Sequence, residues 1–147
     1  MSQCEPIVIY YDGSDEAKCA LVRTNDLAMS RGTDVHVLTV VDIKSAIAWG
    51  SGVLSEIAYR DMLDAAWCNV EEAVAQLRDN GTVAKGYVAH GSVIDCIGRH
   101  AALVNAKAIV VGYVNASPSK WWFGRKPALD GLLMRAGGRS VIVVPVK

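Results

Sequence analysis

The residues with the clearest chemical potential lie in one long turn. A strand-like run, Ala108-Ile109-Val110-Val111, leads into Gly112, and a polar, aromatic and basic segment follows as far as Pro127. The cations of this turn are Lys120, Arg125 and Lys126. Lys and Arg both bind phosphate, and Arg does so through two parallel hydrogen bonds. The turn therefore predicts either a phosphate site or a solvated basic loop, and its composition alone does not choose between them.

A second candidate lies where the first strand-like run, Ile7 to Tyr11, gives way to Asp12-Gly13-Ser14. The Asp12 carboxylate could accept hydrogen bonds from a hydroxyl or amine of a ligand. Asp side chains also bond to their own backbone in ordinary turns. Both interpretations of Asp12 stay open at this point.

The histidines carry little evidence of catalysis. His90 follows the third strand-like run and has no partner nearby in the sequence, while the patterns around His36 and His100 indicate packing or surface positions. No Ser-His-Asp arrangement, metal-ligand spacing or paired-carboxylate motif stands out. We predict no catalytic and no metal-ligating residue, and a binding role rather than an enzyme.

The elements that must position these residues alternate along the chain. Apolar runs rich in Val, Ile and Tyr separate longer segments with helical periodicity, which is typical of βαβ units and a parallel sheet. Ser14 and Gly32 mark the ends of the first helix, Asn80-Gly81 ends the second, and Ser92 with Asp95 resembles a capping pair. The predicted strands are 7–11, 35–41, 83–89, 108–112 and 140–146.

Ligands of open parallel sheets bind outside the carboxyl ends of the strands. Right-handed crossovers bring the ends of the first four strands to one edge, where we expect any small-molecule site. Pro145 in the last strand predicts a position at the side of the sheet.

Composition limits the class of protein. The chain has 147 residues, of which 52% are hydrophobic, and this predicts one domain over residues 1–147. Fifteen Lys and Arg balance fifteen Asp and Glu, so we expect no nucleic-acid partner. The sequence has no run that predicts a membrane span and no signal-peptide pattern, which favours the cytoplasm. The four cysteines are expected to be reduced and mostly buried.

Five motifs in order resemble the universal stress protein family. They are Ile7-Val8-Ile9-Tyr10-Tyr11-Asp12-Gly13-Ser14, Val40-Val41-Asp42, Gly91, Ala108-Ile109-Val110-Val111-Gly112 and Val141-Ile142-Val143-Val144. The resemblance covers almost the whole chain. It implies a flavodoxin-like, Rossmann-like α/β/α sandwich with a five-stranded parallel sheet of order 3-2-1-4-5, and frequent homodimers.

The family has members that bind ATP and members that do not. In ATP-binding members the loop after strand four reads Gly, two residues, Gly, nine residues, then Gly-Ser or Gly-Thr. Here Gly112 matches the first glycine and Asn115 stands at the second, and counting nine residues further reaches Arg125. Alignment from the last strand instead places Pro127-Ala128 where Gly-Ser would open the helix, in a loop about two residues longer than the pattern. Pro127 supplies no N–H and Ala128 no hydroxyl, so two phosphate-holding features are missing.

Two hypotheses follow from the resemblance. The first is a cytoplasmic stress-response or regulatory protein that binds a partner instead of ATP, pairs through the last strand as a homodimer, and presents Trp121-Trp122-Phe123 to that partner or as a plug in the groove. The second is a protein that binds ATP or AMP. Its binding residues would be Tyr11, Asp12, Val40, Gly112, Asn115, Arg125 and Lys126.

Overall fold

The described part of the chain alternates strands and helices from end to end. A computed structural model describes residues 5–42, 53–113 and 126–146, with backbone alone for residues 53–55 and 126–130. The elements are β1 Ile7–Tyr10, α1 Asp15–Arg31, β2 Val35–Val41, α2 Val53–Asp79, β3 Ala84–His90, α3 Val93–Leu103, β4 Ala108–Tyr113, α4 Lys126–Arg135 and β5 Ser140–Pro145.

The five strands form one parallel sheet of order β3-β2-β1-β4-β5. This confirms the flavodoxin-like fold and the strand order implied by the resemblance. The central strand β1 is buried along its whole length, as a strand with both faces covered must be. All strands point the same way, so their carboxyl ends share one edge of the sheet.

Helices cover both faces of the sheet because successive strand residues point to opposite sides. Ile7 and Ile9 pack with residues of α1 and α2 in one buried cluster. Val8 and Tyr10 pack in a second cluster, with residues of α3 and α4. The chain is thus an α/β/α sandwich with β1 at its centre.

Helix α1 begins and ends where the sequence predicts. The Ser14 Oγ accepts a hydrogen bond of 3.2 Å from the Ala17 backbone N–H, and Gly32 closes the helix at φ 64°. The buried face of α1 consists mainly of small and apolar residues at helical spacing, namely Ala17, Ala20, Leu21, Thr24 and Ala28.

Three local expectations were wrong. Ser92 stands at the start of α3 but makes no side-chain cap, and the Asp95 carboxylate instead pairs with Arg135 of α4. Cys19 and Cys68 are exposed, and only Cys96 of the described cysteines is buried, because the first two lie on outward faces of their helices. Strand β3 ends one residue later than predicted, because His90 still pairs with Val41.

Candidate functional site

A cavity of about 200 Å³ opens at the carboxyl edge of the sheet, between the ends of β1 and β2 and helix α2. Its α2 wall comes from positions three or four apart, which lie on one face of a helix. The lining residues are Asp12, Thr39, Val40, Val41, Met62, Ala65, Ala66 and Asn69. The lining is an apolar slot with three polar side chains, the composition expected of a small-molecule site.

Asp12 and Asn69 set the polar end of this cavity. The Asp12 carboxylate accepts hydrogen bonds from the backbone N–H of Ser14, at 3.0 Å, and from the Ser14 hydroxyl. The Asn69 Nδ2 donates to the Asp12 backbone carbonyl at 3.2 Å, which ties α2 to the turn after β1. Both interpretations of Asp12 are thus compatible, because a carboxylate fixed by its turn still has acceptor capacity for a ligand.

The backbone of Val40 extends past the last pairing of β1. The register between β1 and β2 runs from Ile7 and Val35 to Tyr10 and Leu38, and the Tyr11 N–H donates to the Leu38 carbonyl at 2.9 Å. Peptide groups of a parallel strand alternate between its two neighbours. The N–H and C=O of Val40 therefore point toward the β1 side, where the cavity begins.

Two glycines of the edge are required by packing. Gly13 has φ 82°, and a Cβ there would lie 2.7 Å from the Asn69 Oδ1. Gly112 lies in β4 against the start of α1, and a Cβ there would approach the Glu16 carbonyl oxygen to 2.3 Å. Close contact between helix and strand thus accounts for Gly112 without a phosphate.

The remaining predicted site residues are placed as follows. Tyr11 is buried in the cluster beneath α1 and α2, its hydroxyl has no hydrogen-bond partner among the described residues, and its backbone carbonyl accepts from the Thr39 hydroxyl. Burial, with smaller effects from Glu72 and Asp12, raises the pKa of the Tyr11 phenol.

The other predicted residues of the edge are not described in full. Asn115 and Arg125 lie outside the described residues, as do Trp49 and Trp121-Trp122-Phe123, and Lys126 is described by its backbone only.

His90 has a partner that sequence reasoning missed. The Tyr59 hydroxyl, on the first turns of α2, lies 2.6 Å from the His90 Nδ1, with ring centroids 5.8 Å apart. The contact crosses from helix to strand over 31 positions of the chain, so no local pattern announces it. His90 is therefore paired, although its sequence neighbourhood offers no partner.

His36 and His100 form an imidazole pair on the face of the sheet opposite Tyr59 and His90. The His36 Nδ1 lies 3.3 Å from the His100 Nε2, and the Tyr87 ring packs against both. Burial lowers the pKa of both imidazoles; Lys85 lowers that of His36 further, and His36 lowers that of His100. A packing position was one of the two expectations for these residues, and the structure shows in addition that the two imidazoles contact each other.

Two features were not found in the part of the chain that is described. No group of three or more His, Cys, Asp or Glu side chains there is arranged to hold a metal ion. Within the same residues, the helices lack the combination of length and apolar character that a bilayer crossing needs.

Asn69 and Met62 of the cavity were also missed. Their signal was present, because Asn69 interrupts an apolar helix face that carries Met62, Ala66 and Val70 at helical spacing. A lone amide on such a face predicts a polar contact, but only the folded chain shows that Asp12 supplies it.

Comparison with known proteins gives one family. The model of the universal stress protein family matches residues 4–126. No curated protein sequence matches the chain. A universal stress family protein from Burkholderia pseudomallei has 19% identity and a TM-score of 0.76, with 99% of each chain covered.

Two further similar structures hold nucleotides. The universal stress protein of Archaeoglobus fulgidus in complex with dAMP has 21% identity and a TM-score of 0.64, covering 95% of this chain and 97% of its own. A family protein from Arabidopsis thaliana with AMP bound has 15% identity and a TM-score of 0.65, covering 97% and 92%. At these identities, the TM-scores show a shared fold.

Proposed function

This chain belongs to the universal stress protein family, and we propose that it is a regulatory stress-response protein that binds an adenine nucleotide without turning it over. The observation that carries the proposal is the apolar cavity beside Asp12 and Val40. The nucleotide complexes of the Archaeoglobus and Arabidopsis proteins support the choice of ligand.

The base would occupy the cavity. A volume of about 200 Å³ is below the roughly 300–1,000 Å³ of pockets that enclose a drug-sized ligand, so it suits one ring system rather than a whole nucleotide. The N–H and C=O of Val40 would bond to the edge of the base, with Met62 and Ala66 against its face. The walls therefore favour a planar, mostly apolar group.

The sugar and phosphates would lie along the edge of the sheet. Asp12 is an acceptor next to the cavity and suits the ribose hydroxyls. Gly112, in β4, and Asn115 would lie near the phosphates, and Arg125 and Lys126 would hold them in place of the missing Gly-Ser. Tyr11 would contribute only by positioning Asp12, because its ring is buried in the core.

A homodimer through β5 is part of the proposal. Within the described sheet β5 pairs with β4 alone, so one of its edges is open to another strand. Val143 is 38% exposed, and only Val144 of this strand is buried. An apolar edge strand of this kind is stabilised by pairing with its own copy. A cytoplasmic location stays a prediction.

A second candidate function keeps the family but not the nucleotide. Gly112 is explained by its contact with Glu16, Pro127 lacks an N–H and Ala128 lacks a hydroxyl, so the described residues on the β4 side of the site carry no independent sign of ATP, even though Ala128 keeps its backbone N–H. In that case the cavity would be empty of nucleotide, and Trp121-Trp122-Phe123 would bind a protein partner.

Calorimetric titration with AMP and adenosine separates the two candidates. Ala65 lines the cavity yet is exposed, so Ala65→Leu fills the slot without disturbing the core. Ala75→Leu on the same helix is the matched control, since Ala75 lies outside this cavity. We expect AMP to bind, Ala65→Leu to weaken binding by about tenfold or more, as for overpacked sites, and Ala75→Leu to leave it unchanged.

The same titration locates the polar contacts. Asp12→Asn retains an acceptor for Ser14 but removes the charge, and we expect about a tenfold loss for AMP and adenosine alike, the range of a hydrogen bond to a charged group. Arg125→Ala should weaken AMP and spare adenosine, which has no phosphate. No binding of AMP or ATP by the unaltered protein would reject this function in favour of partner binding.

A further inference from the structure

Two imidazoles meet between β2 and α3, on the face of the sheet away from the nucleotide cavity. His36 is the register partner of Val8, which packs in the cluster that contains residues of α3 and α4, so both side chains lie on that face. His100 lies on α3 next to Ala101, which is buried in the same cluster. The His36 Nδ1 is 3.3 Å from the His100 Nε2. Two ring nitrogens therefore face each other across the contact between helix and sheet.

The separation of these nitrogens fits two bonds to one tetrahedral metal ion. Zn–N bonds are about 2.0–2.1 Å long, so at a tetrahedral angle their nitrogens lie roughly 3.3–3.4 Å apart. At a square-planar ion the same bonds would bring the nitrogens to about 2.9 Å. The observed 3.3 Å matches the tetrahedral arrangement, in which proteins bind most Zn²⁺ ions. A hydrogen bond between the imidazoles is the alternative use of the same contact.

Both imidazoles are suited to act as neutral ligands at neutral pH. Burial lowers the pKa of His36 and of His100, and His36 lowers that of His100 further. Lys85 also lowers the pKa of His36, and Asp34 raises it. A histidine must be unprotonated to bind a metal ion, so the lowered pKa values favour binding. Lys85 would repel a cation, but its side chain is exposed and solvent screens its charge.

The surroundings of the pair hold the rings in place and leave access for water. The Tyr87 ring packs against both, with its centroid 5.0 Å from that of His36 and 4.5 Å from that of His100. Both histidines are half-buried, so solvent reaches them. Among the described residues, no third His, Cys, Asp or Glu side chain completes a metal-binding group with them. Water would therefore supply the remaining ligands, as it does at open zinc sites.

We propose that His36 and His100 form a binding site for an exchangeable divalent transition-metal ion, Zn²⁺ being the ion that their spacing fits best. Imidazole nitrogen is a ligand for Zn²⁺, whereas Mg²⁺ and Ca²⁺ are bound by oxygen. The bound ion would join β2 to α3. The site is independent of the proposed nucleotide function, because the cavity lies against α2. The sequence predicted no metal ligand, since the two histidines are 64 positions apart.

A titration of the ¹⁵N-labelled protein with Zn²⁺ at neutral pH, followed by the histidine ring signals, tests the proposal. We expect the ring nitrogens of His36 and His100 to shift together and saturate with one affinity, and Mg²⁺ at the same concentration to leave them unchanged. Unmoved His36 and His100 signals would overturn the proposal and leave a hydrogen-bonded imidazole pair. Zn²⁺ bound only at the exposed thiols of Cys19 and Cys68 would also overturn it.

Variants identify the ligands. His36→Gln and His100→Gln should each weaken Zn²⁺ binding at the remaining imidazole by at least about tenfold, because even the loss of a residue that only supports a ligand costs 10–100-fold. His90→Gln is the matched control, since His90 lies on the other face of the sheet, and it should keep the affinity of the unaltered protein. Unchanged affinity in both single variants, with folding confirmed by circular dichroism, would overturn the proposal. The titration of the unaltered protein decides independently of whether a variant folds.

Discussion

Asp12 and Asn69 differ in how far their place in the candidate site could be predicted from the sequence. Asp12 was predicted because its position after β1 follows from the fold. Asn69 was not, because its bond to the Asp12 carbonyl joins residues 57 positions apart. The same limit applies to Tyr59 and His90. Residues set by local position are thus predictable, while their partners across the sheet depend on tertiary packing.

The His36–His100 pair predicts a pH dependence of stability. Burial lowers the folded pKa of both imidazoles below the ordinary value of 6.5. At pH values between the folded pKa values and 6.5, the unfolded chain therefore binds more protons than the folded chain. The free energy of unfolding should therefore fall as the pH drops through 6.5 toward the folded values, and level off above about pH 7. Lys85 opposes protonation and Asp34 favours it.

Urea unfolding between pH 5 and pH 8 measures this effect. The double variant His36→Gln, His100→Gln should show a flatter profile, since neither amide titrates. His90→Gln is the matched control for replacing a histidine, because His90 lies on the other face of the sheet, and the flattening should be larger in the double variant than in this control. An unchanged slope in the double variant would contradict the account.

At the scale of elements, periodicity and cap residues were sufficient for most of the fold. Ser14 and Gly32 bound α1 because each satisfies backbone groups locally. Ser92 and Asp95 have an equally good local pattern, yet Asp95 pairs with Arg135 instead. The Asp95 carboxylate thus joins α3 to α4, a contact between distant residues that the local pattern does not show.

A substitution at Gly112 tests whether this glycine is required by packing against α1 or by ligand binding. A methyl group there would meet the Glu16 backbone, so Gly112→Ala should destabilise the ligand-free protein by about 1–3 kcal/mol, as overpacking does. Gly131→Ala is the control: its Cβ would touch only the Ile94 side chain at 3.4 Å, and losing a helical glycine stabilises by up to about 1 kcal/mol.

Chemical denaturation without nucleotide measures the stability of both variants. If Gly112→Ala is as stable as the unaltered protein, the glycine is not required by α1, and a role in approaching phosphate becomes the better explanation. If it is destabilised as expected, its presence in the family-like loop carries no information about ATP.

At the scale of the whole molecule, the open side of β5 predicts its assembly. The sequence predicted a strand at the side of the sheet, which the strand order confirms, and Val143 of this strand is 38% exposed in the single chain. Val143→Lys would place a charge at the proposed strand pairing, so light scattering should show the mass of the particle falling to about half. Val22→Lys, at an exposed position of α1, should leave the mass unchanged.

A mass that is unchanged in Val143→Lys, or a single-chain mass for the unaltered protein, would contradict pairing through β5. Circular dichroism of the variant should retain the native spectrum, because the substituted side chain is already partly in water. Loss of that spectrum would point to a core role for Val143 rather than an interface.

The whole fold was predictable because strand order and crossover direction follow from the βαβ pattern and the family resemblance. The resemblance also named ATP or AMP, with Val40 as a binding residue, in one of its two hypotheses. The α2 side of the proposed site was not predictable, because Met62, Ala66 and Asn69 approach Val40 only in the folded chain. The edge of the sheet that holds the candidate site could be predicted from the sequence. The residues that line the site became known only from the cavity in the folded chain.

The most direct test of the central claim is a titration of the ¹⁵N-labelled protein with AMP, followed by amide chemical shifts. If the base binds where we propose, the amides of Val40, Ala66 and Asn69 should shift together and saturate with one affinity, while those on the α3 face, such as Ala101, stay in place. Saturable shifts that spare Val40 and Asn69, or no shifts at all, would contradict the account.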